Sequence, residues 1–369
     1  MSILDTGIKV VRNVGGFTVG RGSLDRLPAF VDARRNAVGG TPQVLFLVDS
    51  FFAGNQTMIE RFGAQADDII RFVDATDEPT TDGIDAITNE VRDQLRDIPA
   101  TVVGFGGGTT MDTAKAVSNL LTNGGRAADY QGWDLVTVPG VHKIAVPTIS
   151  GTGSEATRTC VMTNAASGLK LGMNSDYTVF DQMVLDPNLT ATVPRNQYFY
   201  TGMDAYIHCI EALAGSYRNA VGDAYSRETV NLCRQVFHAD DMMSVQAREQ
   251  LMVASYLGGC AIATSYVGVV HPFSAGLSVV LGLHHCIANC IALNALDEFY
   301  PNEHAEFNAM MKKQNVTLPT GVCANLSREQ YQRLVESTVV HAKPLTNALG
   351  PDFRSILTEE RVIDIFKKM

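Results

Sequence analysis

At the dipeptide Asp186-Pro187 the texture of this chain changes, and that change bounds the folds open to it. Before it, short apolar runs alternate with helix-like segments. Residues 43–48 form a continuous apolar run closed by Asp49 and Ser50, the pattern of a strand buried on both faces of a parallel sheet. Residues 101–105 read as a second strand that runs straight into glycines, and residues 143–147 as a third. Residues 66–73 and 83–96 carry helix-like spacing. Strands alternating with helices predict an α/β domain of Rossmann-like type, with a doubly wound parallel sheet. After the break, strand-like runs largely vanish. Helical patterns occupy residues 195–216, 223–237, 247–265 and 281–299, punctuated by Pro194 and Pro301. We therefore expect an α/β domain over residues 1–188 and an all-α domain over residues 189–369.

Composition narrows the function classes. A formal net charge of −10 argues against a nucleic-acid partner, which would call for a basic field. It leaves room for an anionic substrate, because a few local cations can outweigh a distant negative surface. The 7 cysteines, spread from Cys160 to Cys323, are odd in number and sparse, so reduced thiols are expected rather than a disulfide framework. Cys286 and Cys290 stand four apart and do not form a C-x-x-C pair. The first sixteen residues lack the apolar core of a signal peptide, and no apolar run reaches membrane-spanning length. The expectation is a soluble, cytoplasmic protein with no membrane partner.

Three segments carry candidate chemistry. Gly104-Phe-Gly106-Gly107-Gly108-Thr109-Thr110-Met-Asp112-Thr-Ala-Lys115 follows a strand and opens a helix. Glycines let a backbone approach a ligand closely, and free amides at a helix N-terminus favour a phosphate. The spacing is not G-x-G-x-x-G, since Thr109 stands at the third position, and a tight strand-to-helix turn is the alternative reading. Asp49, just past its strand, can accept hydrogen bonds from an adenosine ribose and repel a 2′-phosphate, or can simply cap a helix. Thr148-Ile-Ser-Gly151-Thr152-Gly153-Ser154-Glu155 offers hydroxyls and amides to a polar ligand, or a capped helix start.

The second half holds a metal-ligand pattern. Asp204 and His208 are four apart in a helical stretch and project from one face. His271 and the pair His284-His285 flank an apolar, glycine-spaced run in which a polar ring needs a partner, and a metal is one. Three imidazoles with one carboxylate suit Fe2+ or Zn2+ with an open position, without deciding between them.

Taken in order, these residues resemble the iron-containing (group III) alcohol dehydrogenase family. Residues 106–115 meet its G-G-G-[ST]-x-x-D-x-A-K motif, and residues 148–155 its T-x-x-G-T-G-S-E turn. Asp204 and His208 match its D-x-x-x-H helix. His271 and His285 keep its fourteen-residue spacing, and the tail from His285 to Asn289 is similar to its H-G-x-A-N. The resemblance implies the dehydroquinate synthase-like fold that this family shares. It implies Asp204, His208, His271 and His285 as catalytic metal ligands for Fe2+ or Zn2+. It implies NAD held by Gly106, Gly107, Gly108, Thr109 and Asp112, with Asp49 on the ribose, Thr148 and Thr152 on the nicotinamide side, and Lys170 nearby. It also implies a homodimer.

The chain departs from the family twice: Ala275 stands where many members carry a histidine near the nicotinamide, and Cys286 stands for a glycine. The stretches 129–134 and 149–160 resemble a sugar-acid subgroup, the 3-deoxy-manno-octulosonate (Kdo) 8-oxidase type, which prepares an aldehyde for amination to an 8-amino sugar of lipopolysaccharide. On that resemblance Arg158 is the candidate to meet a substrate carboxylate, beside the reading of a structural arginine. The expected reaction is oxidation of a primary alcohol to an aldehyde with NAD. A dehydroquinate synthase-like lyase, an oxygen-consuming oxidase and a non-catalytic NAD- or sugar-acid-binding protein are the alternatives.

Overall fold

The structure, a computed structural model, describes residues 11–39 and 42–369. The expectation that no leader peptide opens the chain rests on residues that lie mostly outside that range. Contacts divide the chain into two compact units, one gathering residues 12–149 and 154–192, the other residues 150–153 and 193–369.

The first unit is built on strands β1 (Gly16–Val19), β2 (Val44–Asp49), β3 (Ile69–Val73), β4 (Thr101–Gly106), β5 (Gly132–Trp133), β6 (Lys143–Pro147), β7 (Thr159–Asn164), β8 (Leu169–Asn174) and β9 (Gln182–Leu185). Six of them form one parallel sheet in the order β1-β9-β6-β4-β2-β3. The three strands read from sequence are its centre, because continuous Val/Leu/Ile/Phe runs can only be satisfied where both faces are covered.

Residues 69–73 are a correction. The segment 66–73 was expected to be helical, but Ile69-Ile-Arg-Phe-Val73 is a strand paired in parallel with β2 from Leu45↔Ile69 to Asp49↔Val73. Five residues, four of them β-branched or aromatic, are too few for a stable helix and enough for a strand. A second, three-stranded sheet of β5, β8 and β7, with β7 and β8 antiparallel, also escaped the sequence reading; its strands are half-exposed and carry Asn, Thr, Lys and Gly.

The second unit is helical, with helices at Arg195–Ala214, Ala220–His238, Val245–Thr264, Val270–Leu281, His285–Ala295, Pro301–Gln314 and Arg328–Val339, and shorter ones to the C-terminus. Asn219 caps the second of these by accepting from the Gly222 amide at 2.9 Å, and Ser244 caps the third by accepting from the Ala247 amide at 3.2 Å. The expected helix over 281–299 is shorter and starts later. Gly282, with φ of 68°, ends the Val270–Leu281 helix, and the chain restarts at His285.

The Arg195–Ala214 helix is the axis of this unit: every residue from Tyr198 to Ala212 is buried. A helix buried all round has no solvent face on which to place a polar group, so each polar residue in it must find a partner inside. No helix among the described residues is long and apolar enough to cross a membrane.

Candidate functional site

Three polar residues of that buried helix, Asp204, His208 and Glu211, fall at positions i, i+4 and i+7 and therefore share one face. Asp204 is 1% exposed. Its Oδ1 lies 3.6 Å from Nε2 of His208 and 3.3 Å from Nε2 of His271, the second residue of the Val270–Leu281 helix. One ligand atom from each of Asp204, His208 and His271 lies within 4.8 Å of the others. Donors about 2.1 Å from a shared tetrahedral ion stand about 3.4 Å apart, so the set is at ligation distance. His285, first residue of the next helix, brings Nε2 to 3.7 Å from Asp204 Oδ2 but stands outside that close set, with its side chain 30% exposed. The rings of His208 and His271 stack with centroids 4.7 Å apart.

The electrostatics suit a cation. Burial alone would raise the Asp204 carboxyl, but the neighbouring imidazoles of His208, His285 and His271 more than reverse this and hold it below the usual carboxylate range. Burial pushes His208 down to about 4, which leaves it neutral with a lone pair to give. Burial also opposes a charge on His271, yet Glu211 and Asp204 outweigh it and lift that ring to about 9. Two buried carboxylates thus demand positive charge at this spot, and a divalent ion would satisfy them while taking the imidazole lone pairs. Nδ1 of His208 and Oδ1 of Asn289 are buried without hydrogen-bond partners among the described residues. Donor chemistry, spacing and charge all fit a divalent metal.

Three further residues frame the cluster. Asn289 donates through Nδ2 to Asp204 Oδ1 at 2.7 Å and lies 3.3 Å from Nε2 of His271 and 3.2 Å from Nε2 of His285. Cys286 places Sγ 4.0 Å from Asp204 Oδ2. Glu211 contacts His271 Nδ1. The sequence alone assigned these residues no role. For Glu211 the signal was present: it is the next position on the face that carries Asp204 and His208.

In the first unit the nucleotide candidates gather at one point. From β2 the chain turns outward to β3, then crosses back to β4 on the other side and continues to β6. The order therefore reverses between β2 and β4, and ligands of open α/β sheets bind beyond the carboxyl ends of the strands at such a switch. Asp49 ends β2 and Gly106 ends β4, side by side, since Val48 pairs with Phe105. A Cβ on Gly106 would lie 2.8 Å from Asp49 Cβ and 2.6 Å from Thr110 Oγ1, and one on Gly107 would lie 3.0 Å from Ile149 Cγ2. No side chain caps the Gly108–Asn123 helix that follows. Its amides, with Thr109 at the first turn, form the kind of N-terminus that receives a phosphate. Asp49 itself accepts from the Phe51 amide at 3.0 Å, the capping role that stood beside the ribose role.

Other candidates have partners within the protein. Asp112, expected at the cofactor, accepts from Ser154 Oγ at 2.5 Å and from the Val161 amide at 2.9 Å, and burial raises its carboxyl. Lys115 is fully buried and donates to the carbonyls of Thr157 and Thr159 at 3.1 and 2.8 Å, with burial lowering its ammonium. The second half of the glycine motif thus ties its helix to β7. Lys170, also expected near the cofactor, is 6% exposed and ion-paired with Glu78. Arg158, the candidate for a substrate carboxylate, pairs with Asp176 at 3.1 Å and Asp134 at 2.5 Å, so two carboxylates already neutralise it.

The Thr/Gly/Ser turn divides between the units. Thr148 is buried, and its amide donates to the Gly106 carbonyl at 2.9 Å. Thr152 and its glycine neighbours lie with the helical unit, where the Gly153 amide donates to Ser255 Oγ at 3.2 Å.

Both halves of the chain are similar to known proteins. Residues 16–187 match the family profile described as iron-containing alcohol dehydrogenase, and residues 198–344 match its C-terminal counterpart. The sulfoacetaldehyde reductase of Bilophila wadsworthia is 34% identical over 221 residues, 59% of this chain and 56% of the relative. The NAD-dependent methanol dehydrogenase of Bacillus methanolicus is 33% identical over 223 residues, with the same two shares. These alignments thus span little more than half the length of each relative. Among solved structures, a 1,3-propanediol oxidoreductase superposes with a TM-score of 0.81 at 20% identity, covering 97% of this chain and 99% of that one. A sulfoacetaldehyde reductase from Bifidobacterium kashiwanohense in complex with NAD+ gives 0.77 at 21% identity, covering 97% and 98%. At these identities the likeness is one of fold: an α/β domain with a parallel sheet, followed by a helical domain.

Proposed function

We propose, from the premise that this chain belongs to the iron-containing alcohol dehydrogenase family, that it is a metal- and NAD-dependent enzyme interconverting a small primary alcohol and its aldehyde. The observation that carries the reading is the buried convergence of Asp204, His208 and His271, with His285 beside Asp204. Proteins aligned with the chain are named for sulfoacetaldehyde and methanol, both small and both reacting at a terminal carbon.

When bound, a divalent ion and NAD would supply Lewis acidity and a hydride acceptor, so that alcohol and NAD+ give aldehyde, NADH and a proton. Asp204, His208, His271 and His285 would hold the ion: Asp204 supplies anionic charge, and the imidazoles supply neutral donors that leave a net positive centre. Gly106, Gly107 and Gly108 would admit the pyrophosphate to the open helix N-terminus. Thr148 and Thr152 would serve the nicotinamide side. Ala275, buried on the Val270–Leu281 helix, has no group that can carry a proton, so the proton lost from the alcohol must leave through water, a ribose hydroxyl or another side chain.

Asp49 sets the cofactor choice. A carboxylate at the end of β2 repels a 2′-phosphate, and removing one such charge is worth roughly 10- to 100-fold in discrimination. Asp49→Asn should raise kcat/KM with NADP relative to NAD by about that factor, read from parallel NADH and NADPH assays. An unchanged ratio would remove Asp49 from the ribose site.

The narrower reading, a sugar acid such as Kdo, is supported by the resemblance of residues 129–134 and 149–160. With Arg158 paired to Asp134 and Asp176, a substrate carboxylate would need a different cation. The test is a screen of simple alcohols, diols and sugar acids with NAD on protein loaded separately with Fe2+ and Zn2+. Net NADH accumulation is expected with at least one small alcohol. Turnover without net NADH would replace the dehydrogenase with a lyase, and tight metal and NAD binding without turnover would leave a binding protein.

A further inference from the structure

We propose that Glu211 is a positioning residue of the metal centre: its carboxylate holds His271 in the tautomer protonated on Nδ1 and so aims the Nε2 lone pair at the cation. The inference rests on the reading of Asp204, His208 and His271 as a metal site, and goes beyond it by giving the site a second tier.

Glu211 is fully buried. Its two oxygens do different things. Oε2 contacts Nδ1 of His271. Oε1 accepts from the backbone amide of Val270 at 2.5 Å and from the Tyr300 hydroxyl at 3.4 Å. Tyr300 Oη in turn accepts from the Val269 amide at 3.2 Å. One carboxylate thus grips both the first turn of the Val270–Leu281 helix and the ring which that turn carries. The space is closed: a Cβ on Gly268 would lie 3.1 Å from Glu211 Oε1 and 2.5 Å from Tyr300 Oη.

A buried carboxylate serving only to cap a helix needs only one oxygen at the backbone. Here the second oxygen goes to the imidazole nitrogen that faces away from Asp204, while the other nitrogen, Nε2, faces Asp204 Oδ1 at 3.3 Å. Placing an acceptor on one ring nitrogen makes the other a lone-pair donor and raises its basicity. His208 has no such device: its Nδ1 is buried and unpartnered among the described residues. That ring is aimed instead by the rigid helix it shares with Asp204. The two histidines of the close set are therefore oriented by different means, and only His271 depends on a carboxylate.

The experiment measures affinity for Zn2+ and Co2+ by chelator competition, with the visible spectrum of the Co2+-loaded protein and the melting temperature of the metal-free protein alongside. Glu211→Gln keeps the shape and removes the charge; Glu211→Asp keeps the charge and withdraws it from the ring. Tyr300→Phe removes a hydrogen bond to Glu211 while leaving the contact to His271. Both Glu211 variants should bind metal about 10- to 100-fold more weakly, with an altered Co2+ spectrum, while Tyr300→Phe stays within about twofold of the wild type. Wild-type affinity and spectrum in either soluble Glu211 variant would overturn the proposal. So would an equal loss in Tyr300→Phe, which would make the effect one of packing. If the wild-type protein itself binds neither ion, the reading of the site fails and this proposal goes with it, whereas tight wild-type binding with unaffected Glu211 variants sinks this proposal alone.

Discussion

Replacing His208 with alanine should remove bound metal and activity together, lowering kcat/KM by about a thousandfold or more. The side chain belongs to the close set with Asp204 and His271, and its burial keeps it neutral, the form a cation needs. A Lewis-acid ion contributes several kcal/mol to alcohol activation, and each ~1.4 kcal/mol is a factor of ten in rate. Metal content of the purified variant and NADH formation on the same sample check the result. Full turnover by a metal-free His208→Ala protein would falsify the proposed chemistry. The fold should survive, because alanine is the residue best tolerated inside a helix.

Gly151→Ala is expected to damage the protein more deeply, through backbone rather than chemistry. Gly151 has φ of +148°, and a Cβ there would lie 1.7 Å from the carbonyl oxygen of Thr201 and 2.2 Å from its carbon. Thr201 is inside the Arg195–Ala214 helix, three residues before Asp204, so the obstacle is main chain that cannot rotate away. Strain at a positive φ combined with a backbone overlap places the loss at about 4 kcal/mol or more. Gly168→Ala is the control: its φ is +65° and nothing lies within 4 Å of the added carbon, so only the conformational penalty of about 1 kcal/mol applies. Urea unfolding of the two metal-free variants should separate them clearly, and a Gly151→Ala midpoint equal to that of Gly168→Ala would overturn the argument. Any Gly151→Ala protein that stays folded should also bind metal more weakly, because the displaced turn carries Asp204 with it.

Gly151 and Gly153 together also explain the Thr/Gly/Ser turn, which from sequence offered hydroxyls to a ligand. A Cβ on Gly153 would meet the backbone of Gly259 at 2.7 Å. The glycines of this turn are there chiefly because two helices pass against it, a demand that no local spacing reveals. The same holds for the charged side chains. Lys170 and Arg158 look, as letters, like groups waiting for an anion; their partners Glu78, Asp134 and Asp176 are 92, 24 and 18 residues away in sequence and were invisible until the chain folded. The strand at Ile69–Val73 was misread for a related reason: a five-residue segment with four apolar residues is too short to choose between helix and strand, and pairing with β2 decided it.

Some properties followed from the sequence alone. The long apolar runs at β2, β4 and β6 specified a buried parallel sheet, the glycines after β4 specified a close backbone approach, and the four-residue interval from Asp204 to His208 put both on one helix face, because each follows from the local geometry of the chain. What depended on the tertiary structure was which distant groups meet: His271 with Asp204, Glu211 with His271, Asp49 with Gly106, and the committed partners of Arg158, Lys170 and Asp112. Period and propensity act over a few residues, whereas burial forces every charged or polar group to find its complement anywhere along the chain, and only the folded path determines which complement is within reach.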